Sequence, residues 1–386
     1  MSKKIAILGS TGSIGTNALK VIESLRSDYE VYAMTAHNNV KLFAQQVKKF
    51  KPQVVAITNP DKLNEFRKNL GDVNVDILCG PNSLADISSL SDIDIVIAAI
   101  VGSAGLQAIL NAARKGKTIA LANKEPLVIA GELLMEAAKQ NSAIILPVDS
   151  EHSAIFQALQ AGRKDEVNKI ILTASGGPFR GAKKETIENA TINEALAHPT
   201  WTMGKKISID SATMMNKALE VIEAKWLFNV GVDKIDVLVH PESIVHSMVE
   251  FVDGSIIAQL SGPDMALPIQ YALTYPKRVK GITRHLKLEK IGSLTFEKPD
   301  LDVFKALKLG FEVGSIGGTA PAVFNAANEA AVEEFLAGNI KFVTIMNFVE
   351  HCLNKHEVIN NITLEVLLEA DAWARREVAE CLKKIR

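Results

Sequence analysis

Cysteine is scarce in this chain. Cys79, Cys352 and Cys381 are the only three in 386 residues, too few and too scattered for a disulfide framework or a zinc knuckle, and they suit a reducing cytosol. Charge of one sign is missing too: 43 basic against 44 acidic side chains leave a formal net charge of −1. That balance gives no electrostatic footprint for nucleic acid or for an anionic membrane surface. No apolar run approaches the ~20 residues that a membrane span needs. The strand candidate Lys4-Ile5-Ala6-Ile7-Leu8 comes so early that no signal or transit peptide is expected, and a cytoplasmic location follows. There is no internal repeat and no low-complexity tract. What is present, 47% hydrophobic and 23% charged residues, is the composition of an ordinary globular protein with room for two or three domains.

Short β-type runs alternate with helical segments over residues 1–149. The strand candidates are Ile5–Leu8, Glu30–Thr35, Val54–Ile57, Ile93–Ile100, Thr118–Ala122 and Ala143–Val148, with helical stretches such as Thr16–Leu25 and Leu106–Lys115 between them. That rhythm predicts an α/β fold with a parallel, doubly wound, Rossmann-like sheet. Residues 150–274 change character. Lys169–Thr173 and Val237–His240 read as strands, and Ser247–Val252 with Ser255–Leu260 reads as a hairpin around Asp253-Gly254. An α+β domain with an open sheet and helices on one face is expected there. Residues 275–300, with Pro276, Gly281, Gly292 and Pro299, suit a linker crossing the surface. Residues 301–386 read as a C-terminal helical bundle: Val303–Leu309, Ala320–Leu336, Val343–Leu353 and Leu364–Lys384.

Gly9-Ser10-Thr11-Gly12-Ser13-Ile14-Gly15-Thr16 follows the first strand and opens a helix. In that setting a Gly-rich loop and a helix N-terminus hold a pyrophosphate through backbone N–H groups and the helix dipole. The spacing is G-x-x-G-x-x-G, looser than the dinucleotide fingerprint, and a Gly-rich turn without a ligand is the plain alternative. The second strand ends in His37-Asn38-Asn39, with no carboxylate to repel a 2′-phosphate and with side chains able to donate to one. NADPH is therefore expected over NADH.

Asp149 and Glu151 stand two apart where the run Ala143–Val148 ends, and residues i and i+2 of a strand point to one side. Glu220 lies on a segment whose apolar residues Met215, Leu219, Ile222 and Trp226 recur at helical spacing, and it falls opposite that stripe, flanked by Asn216 and Lys217. If the three carboxylates meet, they form an all-oxygen site for a hard divalent cation such as Mg²⁺ or Mn²⁺. Leu121-Ala122-Asn123-Lys124-Glu125 closes another strand at the sheet edge where ligands bind, although Lys124 could equally be a solvated strand-end lysine. Ala174-Ser175-Gly176-Gly177-Pro178-Phe179 is either an anion loop or a plain turn. The stretch from His198 to Gly204 carries Trp201 and Met203 in a loop that could close as a lid, with core packing of Trp201 the alternative. Ser211, Asn216 and Lys217 offer a hydroxyl, an amide and an ammonium near a helix start, which suits a phosphate, with Ser211 as a simple N-cap the alternative.

Together, GSTGSIGT, LANKE, PVDSEHSAIFQ, ASGGPF, HPTWTMGKKISIDSATMMNKALEVIEA and HPESIVHSMVEF, in that order through the chain, resemble the 1-deoxy-D-xylulose 5-phosphate reductoisomerase family. The resemblance implies conversion of 1-deoxy-D-xylulose 5-phosphate to 2-C-methyl-D-erythritol 4-phosphate with NADPH and a divalent metal (Mn²⁺, Mg²⁺ or Co²⁺), the committed step of the non-mevalonate route to isoprenoid precursors. It implies Asp149, Glu151 and Glu220 as metal ligands. Lys124, Ser150, Glu151, Ser175, His198, Trp201, Ser211, Asn216, Lys217 and Glu220 would contact substrate, with Lys124, Glu151, His198 and Lys217 nearest the chemistry. Thr11, Gly12, Ser13, Ile14, Asn123, Glu125 and Gly204 would contact NADPH, joined by His37, Asn38 and Asn39 at the 2′-phosphate. His152 and His246 would support the site, Met203 would ride on the flap with Trp201, and a homodimer is implied.

Two positions depart from the family pattern. His37-Asn38-Asn39 replaces a frequent Gly-Lys-Asn, and Pro126 follows LANKE where Ser is usual; the proline is expected to start a helix without altering chemistry. The competing readings are a simple NADPH-dependent dehydrogenase of another phosphorylated metabolite and a non-catalytic NADP-binding sensor. Neither accounts for the three carboxylates.

Overall fold

A computed structural model describes residues 2–25 and 27–385. The N-terminal stretch alternates as its apolar runs dictate: β1 (Lys3–Leu8), α1 (Ser13–Ser24), β2 (Tyr29–Ala36), α2 (Val40–Phe50), β3 (Val54–Ile57), α3 (Leu63–Leu70), β4 (Asp76–Cys79), α4 (Ser83–Ser89), β5 (Ile95–Ala98), α5 (Leu106–Arg114), β6 (Thr118–Leu121), α6 (Glu125–Gln140) and β7 (Ile144–Pro147). Among the described residues these strands form one parallel seven-stranded sheet, ordered β4-β3-β2-β1-β5-β6-β7. Ile5, Ala6, Ile7 and Leu8 are wholly buried, because both faces of a parallel sheet are covered by crossover helices. In α2 the buried Val40, Phe43, Ala44 and Val47 lie at i, i+3, i+4 and i+7, one stripe facing the sheet. The strand order reverses beside β1, so the carboxyl ends of β1, β2, β5, β6 and β7 frame the crevice where such sheets hold ligands.

The chain goes on through α7 (Ser150–Ala158), β8 (Val167–Ala174), α8 (Lys184–Glu188), α9 (Ile192–Leu196), α10 (Lys205–Ala212), α11 (Met215–Phe228), β9 (Ile235–Val239), β10 (Val245–Phe251), β11 (Ile256–Leu260) and α12 (Ala266–Thr274). It ends with α13 (Leu288–Ile291), α14 (Lys305–Ile316), α15 (Ala320–Leu336), α16 (Phe342–Lys355) and α17 (Leu364–Ile385). The four later strands form a mixed sheet ordered β11-β10-β8-β9, with β8 and β9 parallel and the other pairs antiparallel. Gly254, at φ 85°, turns the expected β10–β11 hairpin. One face of this sheet is packed through Val167, Ile170, Leu172 and Ala174 against Val221, Ala224 and Phe228 of α11 and Leu307 of α14.

The chain divides into two compact units. The first comprises Met1–Pro126, Glu132–Ser153 and Asp264–Arg284; the second comprises Leu127–Gly131, Ala154–Pro263 and His285–Arg386. Several sequence expectations shift accordingly. Ser150–Ser153 stay with the first unit, and α12 returns to it by packing on α1, with Tyr29 Oη donating to Leu273 O at 2.8 Å. Residues 275–300 are not one surface linker. Their second half lies along the free edge of β9, where Glu297 and Val239 exchange backbone hydrogen bonds of 2.8 and 2.9 Å. His240 Nδ1 also lies 2.8 Å from Thr295 O.

Candidate active site

In the first unit, every expected nucleotide residue lies on a loop or in the first turn of a helix, just beyond the carboxyl end of a strand. Gly9, at φ 88°, turns the chain out of β1; a Cβ there would meet Ala99 O at 2.7 Å. A Cβ at Gly15 would meet Gly9 O at 2.3 Å, so only glycine lets α1 start this close to the strand. Gly12 caps α1 without a side-chain hydrogen bond, and no acidic residue occupies the first turn. Thr11, Gly12, Ser13 and Ile14 are at least partly exposed, which leaves an open anion-binding helix terminus. His37, Asn38 and Asn39 are exposed at the end of β2. His37 Nδ1 pairs with Thr58 Oγ1 at 2.8 Å, Asn38 Oδ1 accepts from Asn59 Nδ2 at 2.8 Å, and Asn39 Oδ1 caps α2 at Leu42 N.

Asn123, at the end of β6, is buried. Its Nδ2 donates to Gly102 O at 3.4 Å, while Oδ1 has no hydrogen-bond partner. A buried amide oxygen left over in this way calls for a hydrogen-bond donor. Lys124, Glu125 and Pro126 start α6, Pro126 in the first turn as expected. Lys124 Nζ stands 2.8 Å from Asp149 Oδ2, and the side chains are 12% and 10% exposed. Asp149 and Glu151 do not share a strand face. Pro147 closes β7, and Asp149 precedes the first turn of α7, its carbonyl accepting from Ser153 N at 2.8 Å. Two strand neighbours thus become a helix entry, with Ser150 Oγ donating to Glu151 Oε2 at 2.5 Å. His152 is fully buried, its Nδ1 3.9 Å from Asp149 Oδ2.

The second unit gathers the remaining predicted residues around α10 and α11. Ser175 Oγ lies 2.8 Å from His198 Nε2 and accepts from Gly177 N at 3.2 Å. His198 Nδ1 accepts from Thr200 N at 3.1 Å and Trp201 N at 2.9 Å, which assigns the ring proton to Nε2. Burial holds this imidazole below its ordinary pKa of 6.5, in keeping with a neutral ring. Ser175 therefore takes two donors and keeps its own hydroxyl proton for a ligand. Gly177, at φ 66°, brings this loop against α10, since a Cβ there would lie 2.6 Å from Ser211 O. His198–Gly204 has no regular structure. Trp201 is half-buried, its ring edge-on to His246 at 6.3 Å, and Gly204 caps α10. Met203 is partly exposed in the same loop, and His246 Nε2 lies 3.2 Å from Ser261 O.

Met214, in the left-handed region at φ 62°, separates α10 from α11 and puts Ser211 in the last turn of one helix and Asn216 and Lys217 in the first turn of the next. Asn216 Nδ2 donates to Glu220 Oε1 at 2.5 Å, and Lys217 Nζ donates to Glu220 Oε2. Asn216 Oδ1 is buried without a partner. The three residues are one cluster, as their spacing implies. The expected polar face is not there, however: α11 is buried all round, and Glu220 has no exposed surface. The sequence reading missed Asp210 and Glu223, two more buried carboxylates. Asp210 had a legible signal, the i,i+4 partner Lys206, whose Nζ is 2.9 Å away.

Three family models match the chain. One described as 1-deoxy-D-xylulose 5-phosphate reductoisomerase covers residues 5–131, and two C-terminal domain models of the same enzyme cover residues 145–228 and 260–377. The reductoisomerase of Thermoanaerobacter pseudethanolicus is 52% identical over 98% of this chain and 99% of its own. That of Clostridium novyi is 51% identical over 97% of each. Among solved structures, the Zymomonas mobilis reductoisomerase in complex with NADPH aligns with a TM-score of 0.92 at 43% identity, covering 99% of both chains. A reductoisomerase complex with NADPH, fosmidomycin and magnesium aligns with a TM-score of 0.95 at 41% identity over the same share of each.

Proposed function

The chain belongs to the 1-deoxy-D-xylulose 5-phosphate reductoisomerase family, and from that premise we infer that it converts 1-deoxy-D-xylulose 5-phosphate to 2-C-methyl-D-erythritol 4-phosphate with NADPH and a divalent metal. The full-length likeness at about half identity carries this conclusion. A simple dehydrogenase is not favoured.

The residues fit both groups. The uncapped start of α1 and the orphaned Asn123 Oδ1 suit a dinucleotide bound through Thr11, Gly12, Ser13, Ile14, Asn123, Glu125 and Gly204, with His37, Asn38 and Asn39 at its 2′-phosphate. Asp149, Glu151 and Glu220 are oxygen donors of the kind a hard cation takes, and lysine ammonium groups now satisfy Asp149 and Glu220. When bound, the cation supplies Lewis acidity to the substrate's carbonyl and hydroxyl oxygens, and NADPH supplies hydride.

The protein's own side chains bind and orient. Ser175, with its free hydroxyl proton, and Ser211, Asn216 and Lys217 take the substrate phosphate, and their grip holds the reacting carbons in register. The family resemblance supports Lys124, Ser150, Glu151, His198, Lys217 and Glu220 as contacts of the sugar, and Lys124 would offer a positive charge wherever negative charge develops on an oxygen. Trp201 and Met203, in the loop before Gly204, close over the substrate and exclude water. His152 and His246 hold the surrounding side chains. The homodimer is supported by Ile256, Ile257 and Leu260 on edge strand β11, 50%, 38% and 36% exposed, an apolar edge that a second copy would cover. No helix is long and apolar enough to cross a membrane among the described residues, and a cytoplasmic enzyme is the reading we adopt.

The test is oxidation of NADPH on addition of 1-deoxy-D-xylulose 5-phosphate, with and without EDTA and with Mn²⁺ or Mg²⁺ restored. Metal-dependent oxidation is expected. A folded, NADPH-binding sample that leaves the substrate untouched overturns the reading.

A further inference from the structure

Asp210 sits on α10 beside Ser211 with about 1% of its surface exposed. Its Oδ2 lies 2.9 Å from Lys206 Nζ, and its Oδ1 accepts from Asn328 Nδ2 at 2.8 Å. Asn328 belongs to α15, far along the chain, and has no exposed surface. Its amide makes no other side-chain hydrogen bond, and its Oδ1 is buried without a partner. A leucine would fill such a position without leaving a polar atom unsatisfied. The amide stands at a core position where its side-chain hydrogen bond goes to Asp210.

The surroundings say what that contact controls. α10 follows the irregular His198–Gly204 loop and ends at left-handed Met214, and its buried apolar side chains are only Ile209 and Ala212. So short and weakly apolar a helix has little hydrophobic anchorage of its own. Yet Ser211 O packs against Gly177 and accepts from Met214 N at 3.2 Å, so the Ser175 loop and the start of α11 follow wherever α10 is placed. α15 is itself tied to α17: Glu329 Oε2 accepts from Arg375 Nη2 at 2.6 Å, and within α17 Arg375 Nε donates to Asp371 Oδ1 at 2.7 Å.

We propose that Asp210 and Asn328 are a pair of positioning residues, a clamp by which the C-terminal helices fix α10 and so hold Ser175, Ser211, Asn216 and Lys217 in register for the substrate phosphate. The substrate half of this inference rests on the proposed function. Asn328→Leu removes the contact while keeping the core filled. It should raise KM for 1-deoxy-D-xylulose 5-phosphate about tenfold or more, the scale of one buried charge-assisted hydrogen bond, with NADPH affinity changed less than about twofold. Hydrogen-exchange protection across Lys205–Ala212 should fall in the same variant. The exchange of partners, Asp210→Asn with Asn328→Asp, restores donor and acceptor in reverse and should return KM and protection towards wild type.

KM within about twofold of wild type in folded Asn328→Leu overturns the clamp. So does a uniform loss of KM, kcat, NADPH affinity and thermal midpoint that the exchanged pair fails to rescue, since that is a structural role only. A wild-type protein that does not turn over the substrate overturns the proposed function instead. The exchange measurement still decides the clamp in that event, because unaltered protection across α10 refutes it without any substrate.

Discussion

Lys124 Nζ and Asp149 Oδ2 stand 2.8 Å apart, an ammonium from the start of α6 against a carboxylate from the end of β7. Each is mostly hidden from water, so each is the other's compensation. If Asp149 is a ligand of the proposed divalent cation, it would give up this partner on binding the metal, and the Lys124 ammonium would then be available to an oxygen of the substrate. Asp149→Asn should therefore cut kcat by about 10²–10⁴ and demand far more Mn²⁺ for half-maximal rate, while NADPH quenching of tryptophan fluorescence is unchanged. Metal titration of the rate, with the fluorescence titration beside it, checks this.

Glu220→Gln keeps an acceptor for the Asn216 amide but removes the charge facing Lys217. Turnover should fall by orders of magnitude with NADPH binding nearly intact. Near-normal turnover would remove Glu220 from the metal site.

Protonation of His198 would break its local contacts. Its neutral ring accepts two backbone N–H groups at Nδ1, and a protonated ring accepts none. Because burial depresses its pKa below 6.5, the folded state binds fewer protons than the unfolded one in that window. Its contribution to stability is thus complete above pH 6.5 and is lost as pH falls through the depressed value. Substrate KM should rise over the same acid range, and His198→Asn should flatten the profile. A KM profile of the variant that still bends like wild type refutes the assignment.

Two glycines of the first loop separate folding from binding. A Cβ at Gly15 collides with Gly9 O at 2.3 Å, whereas at Gly12 the nearest atom is 3.5 Å away and φ is −75°. Gly15→Ala should lower the melting temperature and NADPH affinity together. Gly12→Ala should leave melting within a few degrees yet weaken NADPH binding about tenfold, because the added methyl would stand in the space proposed for the pyrophosphate. Calorimetry and a binding titration on both variants distinguish them.

The end of β2 should set the choice of nicotinamide. Asn38→Asp places a carboxylate where none exists among the exposed His37, Asn38 and Asn39. The ratio of kcat/KM for NADPH over NADH should drop about tenfold to a hundredfold, read from steady-state rates with each.

The parallel sheet was legible because its strands are uninterrupted apolar runs, Ile5–Leu8 above all. Asp76–Cys79 escaped notice because an edge strand of four residues carrying Asp and Cys has no such run. The strand geometry invoked for Asp149 and Glu151 failed because β7 ends at Pro147, one residue before the expected Val148, and Asp149 leads into α7. The amphipathic reading of α11 failed for a different reason. Periodicity detects a helix with one wet face, and this one is buried all round, Lys217, Glu220 and Glu223 included. Asn328 and Asp210 lie 118 residues apart, and no local pattern links them.

The return of α12 to the first unit has a bearing on synthesis. The sheet and its helices are encoded before Ser153, yet α12, which packs on α1, is encoded only at Ala266–Thr274. A ribosome-bound nascent chain halted after residue 153 holds every strand of that sheet but lacks the cover of α1. The first unit thus becomes complete only after most of the second has emerged, and a fragment cut at the end of the sheet should be aggregation-prone.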